Sequence, residues 1–114
     1  MEVTRAGGPT TIARMSELDR GPVVAALTVN TGLQVFMRDG RIAQLPARMS
    51  RRRLLLEQIV QAFEPGVRYP EPVVDDFLRG LHDDHAALRR YLVDAALLER
   101  SDGVYWRIGG SSPS

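Results

Sequence analysis

The chain has 114 residues, a length that accommodates one domain. Charged residues make up 25% and hydrophobic residues 44%, which excludes a collagen-like, fully disordered or membrane-spanning class of protein. The absence of cysteine excludes disulfide bonds, thiolate metal sites and a cysteine nucleophile. All fifteen basic residues are arginine and the net charge is only +1, so the composition is not that of a purely electrostatic DNA binder.

The ends of the chain predict disordered tails over 1–15 and 109–114, because both are poor in periodic apolar residues and the second is rich in glycine and serine. Between them we expect an N-terminal helical segment over 16–37 and a domain over 38–108. No apolar run approaches the ~20 residues of a membrane helix. The first residues also lack the order of a signal peptide, so we expect a cytoplasmic protein without membrane contact.

The segment before residue 40 predicts two short helical pieces. Gly21-Pro22 can open a helix, because proline is tolerated in the first turn. The sequence Asn30-Thr31-Gly32 then breaks the helical spacing, and Asp39-Gly40 predicts a turn. From Arg41 to Leu45 the residues alternate in polarity, which predicts a short strand with Ile42 on one side.

Three helices are expected next. The first spans 50–63, with Ser50 as its N-cap and an apolar stripe at i, i+4 spacing. The second starts near Pro70 to Pro72 and ends near Gly80. The third opens at Asp83 or Asp84, and its spacing directs two arginines and an aspartate outward. The residues expected on its buried side are Leu88, Tyr91, Leu92, Ala95 and Ala96.

The C-terminal part predicts a β-hairpin, since alternating segments over 97–101 and 104–108 flank the dipeptide Asp102-Gly103. The order of elements predicts an α+β, winged helix-turn-helix-like fold. It would have a three-helix core, a C-terminal hairpin and a short extra strand, supplied from before the first helix, beside that hairpin. One or two N-terminal helical pieces would precede it. The element order concerns the fold and does not establish a function.

From Phe36 onward the chain resembles the bacterial domain-of-unknown-function family DUF2087, found alone or attached to helix-turn-helix transcriptional regulators. The run from His82 to Arg100 is the most specific part of the likeness, which covers about two thirds of the chain. The chain departs from the family pattern in the second helix, at Pro72, Val74 and Asp75. The resemblance implies a link to transcriptional regulation. The residues that carry it are Phe36, Asp39-Gly40-Arg41, Leu45-Pro46, Arg53, Leu55, Phe63, Tyr69, Glu71, Val74, Leu78, His82, Asp84, Leu88-Arg89-Arg90, Leu92-Val93-Asp94, Leu98, Arg100, Gly103 and Tyr105.

The small net charge conceals a polarised chain. Residues 38–53 hold six arginines against one aspartate, whereas residues 64–84 hold six acids against two arginines. Arg48, Arg51, Arg52 and Arg53 lie at the start of the first predicted helix, where a phosphate could accept from free N–H groups and from guanidinium groups. The alternative is a solvated basic turn, partly paired with the acidic second helix.

In a winged helix the third helix is the recognition helix, which enters the major groove, and the hairpin is the wing. Arg89 and Arg90 would lie on the outward side of the third helix, and Arg100 near the tip of the hairpin. Arginine is the commonest specific reader of guanine. Against this interpretation, the third helix begins with acids that repel phosphates. Arg89 or Arg90 could instead form an ion pair with Asp94, Asp75 or Asp76.

The two histidines, His82 and His85, are weak candidates for a metal site, because a third ligand is not apparent. We find no phosphate-binding loop and no nucleophile motif, so we expect no enzymatic activity and no cofactor.

The leading hypothesis is therefore a non-enzymatic winged-helix domain that binds duplex DNA in transcriptional regulation. The alternative is a protein-interaction or dimerisation module of the same shape, which would associate through residues 23–37, as a homodimer or with another protein.

Overall fold

A computed structural model describes residues 11–12 and 18–108. This part of the chain forms a mixed α+β structure with four α-helices. The helices are α1 (Gly21–Val29), α2 (Met49–Val60), α3 (Glu71–Leu81) and α4 (His85–Asp94). The strands are β1 (Thr11–Ile12), β2 (Met37–Arg38), β3 (Arg41–Ile42), β4 (Val67–Pro70), β5 (Leu98–Ser101) and β6 (Val104–Arg107). The predicted tails over 1–15 and 109–114 lie outside the described residues, apart from β1.

The main sheet has the strand order β1-β4-β6-β5, and its β4–β6 and β5–β6 pairs are antiparallel, whereas β1 lies parallel to β4. The strands β2 and β3 form a separate two-stranded hairpin. The expectation that a strand from before the first long helix joins the C-terminal hairpin is therefore wrong. The third strand beside β5–β6 is β4, whose Tyr69 pairs with Tyr105.

Strand β3 is shorter than the predicted strand of residues 41–45, because it ends at Ile42. The prediction that Ile42 and Ala43 lie on opposite sides is confirmed, because Ile42 is 2% exposed and Ala43 is exposed. The predicted turn at Asp39-Gly40 is also confirmed. Both residues have positive φ, 54° and 76°, as a two-residue hairpin turn of type I′ requires.

Helix α2 differs from its prediction at both ends. It begins at Met49, and its N-cap is Arg48, which forms no side-chain capping hydrogen bond. The prediction of Ser50 as N-cap is therefore wrong. The helix ends at Val60 rather than at Phe63, yet the ring of Phe63 is fully buried after a short turn.

The core lies between α2, α3, α4 and one side of the sheet. Its aromatic centre is Phe63, which meets the rings of Tyr69 and Phe77 edge-on, at centroid distances of 5.0 and 5.6 Å. Such pairs contribute about 0.5–1.5 kcal/mol each beyond burial. The fully buried aliphatic side chains around it include Leu55, Ile59, Val74, Leu78, Leu88 and Leu92.

The N-terminal segment packs into the same core. Helix α1 and the short 3-10 helix Gln34–Phe36 are the two predicted helical pieces, separated at Asn30. The side chains of Val23, Leu27 and Leu33 are at most 2% exposed. In the part of the chain that the structure describes, no helix has the length and apolar character that crossing a membrane requires.

Helix α4 and the C-terminal hairpin lie where the sequence predicts them, except that α4 ends at Asp94 and Ala96, which was expected on its buried side, is exposed. Helix α3 connects to α4 through residues 82–84, and the Asp84 carboxylate accepts from the Ala87 backbone N–H at 3.1 Å, which confirms the predicted cap. The turn between β5 and β6 is Asp102-Gly103, with φ of 54° and 79°. The predicted hairpin and its two-residue turn are therefore confirmed.

Candidate nucleic-acid interface

A surface concavity of about 410 Å³ lies between the outward side of α4 and the β5–β6 hairpin; we call it the α4–hairpin groove. Its lining includes three of the seven arginines that the sequence singles out. The lining residues are Ala86, Arg89, Arg90, Val93, Asp94, Arg100 and Tyr105.

Helical and strand periodicity place these side chains. On α4, Leu88 and Leu92 are fully buried, so positions 86, 90 and 93 lie on the opposite side of the helix. On β5, Arg100 pairs with Tyr105 of β6 and shares its side of the hairpin with the buried Leu98. Because strand side chains alternate, Arg100 lies on the side of the hairpin that packs toward α4.

Arg89 occupies the floor of the groove and does not project outward, so that expectation is wrong. Its side chain is 21% exposed and forms an ion pair with Asp75 of α3, which is 19% exposed. Burial alone would lower the pKa of Arg89, but the hydrogen bond and charge of Asp75 outweigh it, and the pKa is raised. The alternative of a structural ion pair therefore holds for Arg89.

Arg90 and Arg100 lie on the two sides of the groove, and both are exposed. The Arg90 guanidinium is 6.0 Å from the ring centroid of Tyr91, and that of Arg100 is 5.9 Å from the centroid of Tyr105. These distances are at the outer limit of a cation–π contact. Neither guanidinium group forms an ion pair or hydrogen bond among the described residues, so their donors are open to a ligand.

In the lining of the groove, the Tyr105 hydroxyl donates to a carboxylate oxygen of Glu71 at 3.0 Å. Burial raises the pKa of Tyr105, and the hydrogen bond to Glu71 raises it further. The phenol therefore stays protonated at neutral pH and connects β6 to the first turn of α3. Together with the Arg89–Asp75 pair, it fixes α4 and the hairpin relative to α3.

The two acids at the start of α4 both have partners within the chain. Asp84 caps the helix, and Asp83 lies 2.5 Å from the Arg41 guanidinium. Arg41 also donates to the backbone carbonyls of Arg79 and Gly80, at 3.0 and 3.2 Å. These contacts reduce the negative potential at the helix start, although Asp83 remains exposed to solvent. Sequence reasoning missed this role of Arg41, because its partners lie about forty residues away.

The first turn of α2 serves mainly to hold neighbouring backbone. Arg51 donates to the Gly32 carbonyl at 2.9 Å. Arg52 donates to the Pro46 carbonyl at 3.2 Å, and its guanidinium lies 4.6 Å from the centroid of Tyr91. Arg53 donates to a carboxylate oxygen of Glu57 and to the Ala95 carbonyl, each at 3.0 Å.

Arg48, the last member of that predicted set, is exposed, and its side chain forms no hydrogen bond or ion pair within the described part of the chain. It lies outside the lining of the α4–hairpin groove. The α4–hairpin groove therefore holds three of the seven predicted contacts, Arg89, Arg90 and Arg100. Arg52 and Arg53 instead line a second concavity beside Tyr91 and Asp94.

The two histidines do not form a site together. His82 precedes α4, and its Nδ1 donates to the Ile42 carbonyl at 2.7 Å, which directs the ring toward β3. His85 is the first residue of α4. Among residues 11–12 and 18–108, the structure contains no group of three or more histidine, aspartate or glutamate side chains arranged to hold a metal ion.

The architecture and the groove define a small α+β domain in which two helices joined by a short turn precede a β-hairpin. Residues 41–107 match the family model of DUF2087, described as an uncharacterized protein conserved in bacteria. The chain belongs to this family. No curated protein and no solved structure shows significant similarity to it.

Proposed function

We propose that the chain is a non-enzymatic winged-helix domain that binds duplex DNA through the α4–hairpin groove and acts in transcriptional regulation. The observation that carries the proposal is topological. The element order α2-β4-α3-α4-β5-β6 and the strand order β4-β6-β5 support the winged-helix interpretation. In this architecture the second helix of the helix-turn-helix pair enters the major groove, and the β5–β6 hairpin is the wing.

The distribution of charge also favours the α4–hairpin groove as the DNA-binding surface. Arg90 projects from the recognition helix and Arg100 from the wing, on the two sides of one groove. Guanidinium groups donate in pairs to phosphate oxygens and to guanine. The acids that would repel DNA at the start of α4, Asp83 and Asp84, already have intramolecular partners.

The set of proposed contacts is narrower than the sequence predicts. Arg90 and Arg100 remain from the groove, and Arg48 remains as an exposed residue at the start of α2. Arg89 is left out because Asp75 holds it. The other three arginines of α2, residues 51–53, are left out because they hold backbone carbonyls.

Fluorescence anisotropy with labelled duplex DNA, measured from 50 to 300 mM salt, tests the proposal. We expect the logarithm of the binding constant to fall linearly with the logarithm of salt concentration, because phosphate contacts release counterions. Replacing both Arg90 and Arg100 by alanine should weaken binding at least tenfold. The matched control, Arg38→Ala, removes an exposed arginine of the β2–β3 hairpin and should leave affinity nearly unchanged. A salt slope near zero, or equal losses in both variants, would overturn the proposal.

A second candidate function is the protein-interaction module, and one observation favours it. Four of the seven predicted DNA contacts hold groups of the protein itself, which leaves a less basic surface than the sequence suggests. Within residues 23–37, Val29 and Val35 remain 76% and 73% exposed and could meet a second copy. Light scattering should then detect a dimer that the double variant Val29→Glu, Val35→Glu abolishes; a monomer at all concentrations would exclude self-association.

A further inference from the structure

The two adjacent arginines of α4 have different environments. Arg89 is mostly buried and paired with Asp75. Arg90 is exposed, its side chain forms no hydrogen bond or ion pair among the described residues, and its guanidinium lies 6.0 Å from the ring centroid of Tyr91. A bidentate contact to a base edge requires a guanidinium whose paired donors are free. Only Arg90 meets this requirement on the outward side of α4.

The neighbours of Arg90 on α4 leave space for a close approach. Ala86 lies four residues before it and Val93 three residues after it, so these side chains form one row along the groove. Both are short and uncharged, which allows the helix backbone to come near a base edge. Asp94 lies at the C-terminal end of the row, where its carboxylate disfavours a phosphate. The part of α4 that can contact a base edge therefore centres on Arg90.

We infer that Arg90 is the specificity-determining residue of the groove and reads a guanine in the major groove, through O6 and N7. Arg100, on the hairpin, contacts the phosphate backbone and carries no sequence preference. This inference rests on the proposed DNA binding. Beyond the proposed DNA binding, the inference names the base that the groove prefers and the single side chain that selects this base.

Selection of bound sequences from a random duplex pool, with the full chain and its variants, tests the inference. The native chain should enrich a guanine at one fixed position of the bound site. Substituting another base there should weaken binding roughly 5- to 150-fold, the range of a good bidentate contact. Arg90→Ala should lose the guanine preference while it still binds DNA. Arg100→Ala should bind all sequences more weakly, with the preference retained and the salt slope reduced by about one.

Arg89→Lys is the matched control, because it keeps a cation beside Asp75, and it should retain the guanine preference. Circular dichroism checks that each variant is folded. DNA binding without a positional guanine preference, or a preference that survives Arg90→Ala or disappears in Arg89→Lys, would overturn the inference and leave the proposed function standing. Failure of the native chain to bind any duplex at 50 mM salt would overturn both.

Discussion

At the scale of single residues, three arginines of this chain donate to backbone carbonyls at or just beyond the C-terminal ends of helices. Arg41 donates to carbonyls in the last turn of α3, and Arg53 donates to the Ala95 carbonyl just after α4. Arg107 donates to the Phe63 carbonyl, shortly after α2 ends. The last carbonyls of a helix lack intrahelical donors and carry partial negative charge, so guanidinium groups there are favourable.

The Arg89–Asp75 pair should contribute measurably to stability, because both side chains are about four-fifths buried. Arg89→Ala leaves the Asp75 carboxylate without its partner, and we expect a loss of about 1.5–3 kcal/mol in the free energy of unfolding. Urea denaturation of Arg89→Ala, Asp75→Asn and the double variant measures the coupling. Strictly additive losses would show that the pair contributes nothing specific.

Tyr105 should make stability depend on pH in the alkaline range. Its pKa is raised by burial and by the hydrogen bond to Glu71, so the folded protein holds the proton more tightly than the unfolded chain. The stabilisation is fully present below the ordinary tyrosine pKa of about 10 and is lost as pH rises through the raised value. The free energy of unfolding should therefore fall more steeply above pH 10 in the native chain than in Tyr105→Phe. Identical pH profiles would contradict this assignment.

At the scale of elements, the parts predicted best are those with a strong local cause. The Asp102-Gly103 turn, the Asp84 cap and the break at Asn30 depend on residues next to one another, and the structure confirms them. Strand β4 was missed because its four residues show no clear alternation and end at Pro70. Pairing with β1 and with β6, each more than thirty residues away, makes this segment a strand.

The candidate site was predictable only in part for the same reason. Periodicity correctly placed Arg90 on the outside of α4, but it placed Arg89 there as well. The partner of Arg89 is Asp75 on another helix, and sequence spacing does not select between Asp75 and Asp76. Similarly, the backbone carbonyls that accept from the side chains of residues 51–53 can be identified only from the folded positions of the loops.

The β5–β6 turn should be sensitive to the second of its two residues. Gly103 has a φ of 79°, a conformation that a Cβ disfavours even though no atom lies within 4 Å of the added carbon. Gly103→Ala should therefore lower the free energy of unfolding by about 1–2 kcal/mol through backbone strain alone. Asp102→Asn is the control and should be nearly neutral, since asparagine tolerates this conformation. Equal stability of both variants in thermal denaturation would argue against the type I′ turn.

At the scale of the whole molecule, the N-terminal segment is a structural part of the domain. Val23, Leu27 and Leu33 are buried against the residues that follow, and burial of each such side chain contributes about 1.5–3 kcal/mol. A chain that begins at Arg38 should therefore lose most of a typical stability of 5–15 kcal/mol. It should show a reduced or absent cooperative transition in thermal denaturation. The full chain carrying Val29→Ala and Val35→Ala, both at exposed positions, is the control and should melt normally.

The central claim is that α4 and the β5–β6 hairpin together form one DNA-binding surface. Titration of the isotope-labelled full chain with duplex DNA, followed by amide chemical shifts in NMR spectra, tests it most directly. We predict the largest shifts over residues 85–94 and 99–103, with small changes in α1 and in the β2–β3 hairpin. Absence of shifts at low salt, or shifts concentrated in α1 and residues 30–40, would contradict the claim.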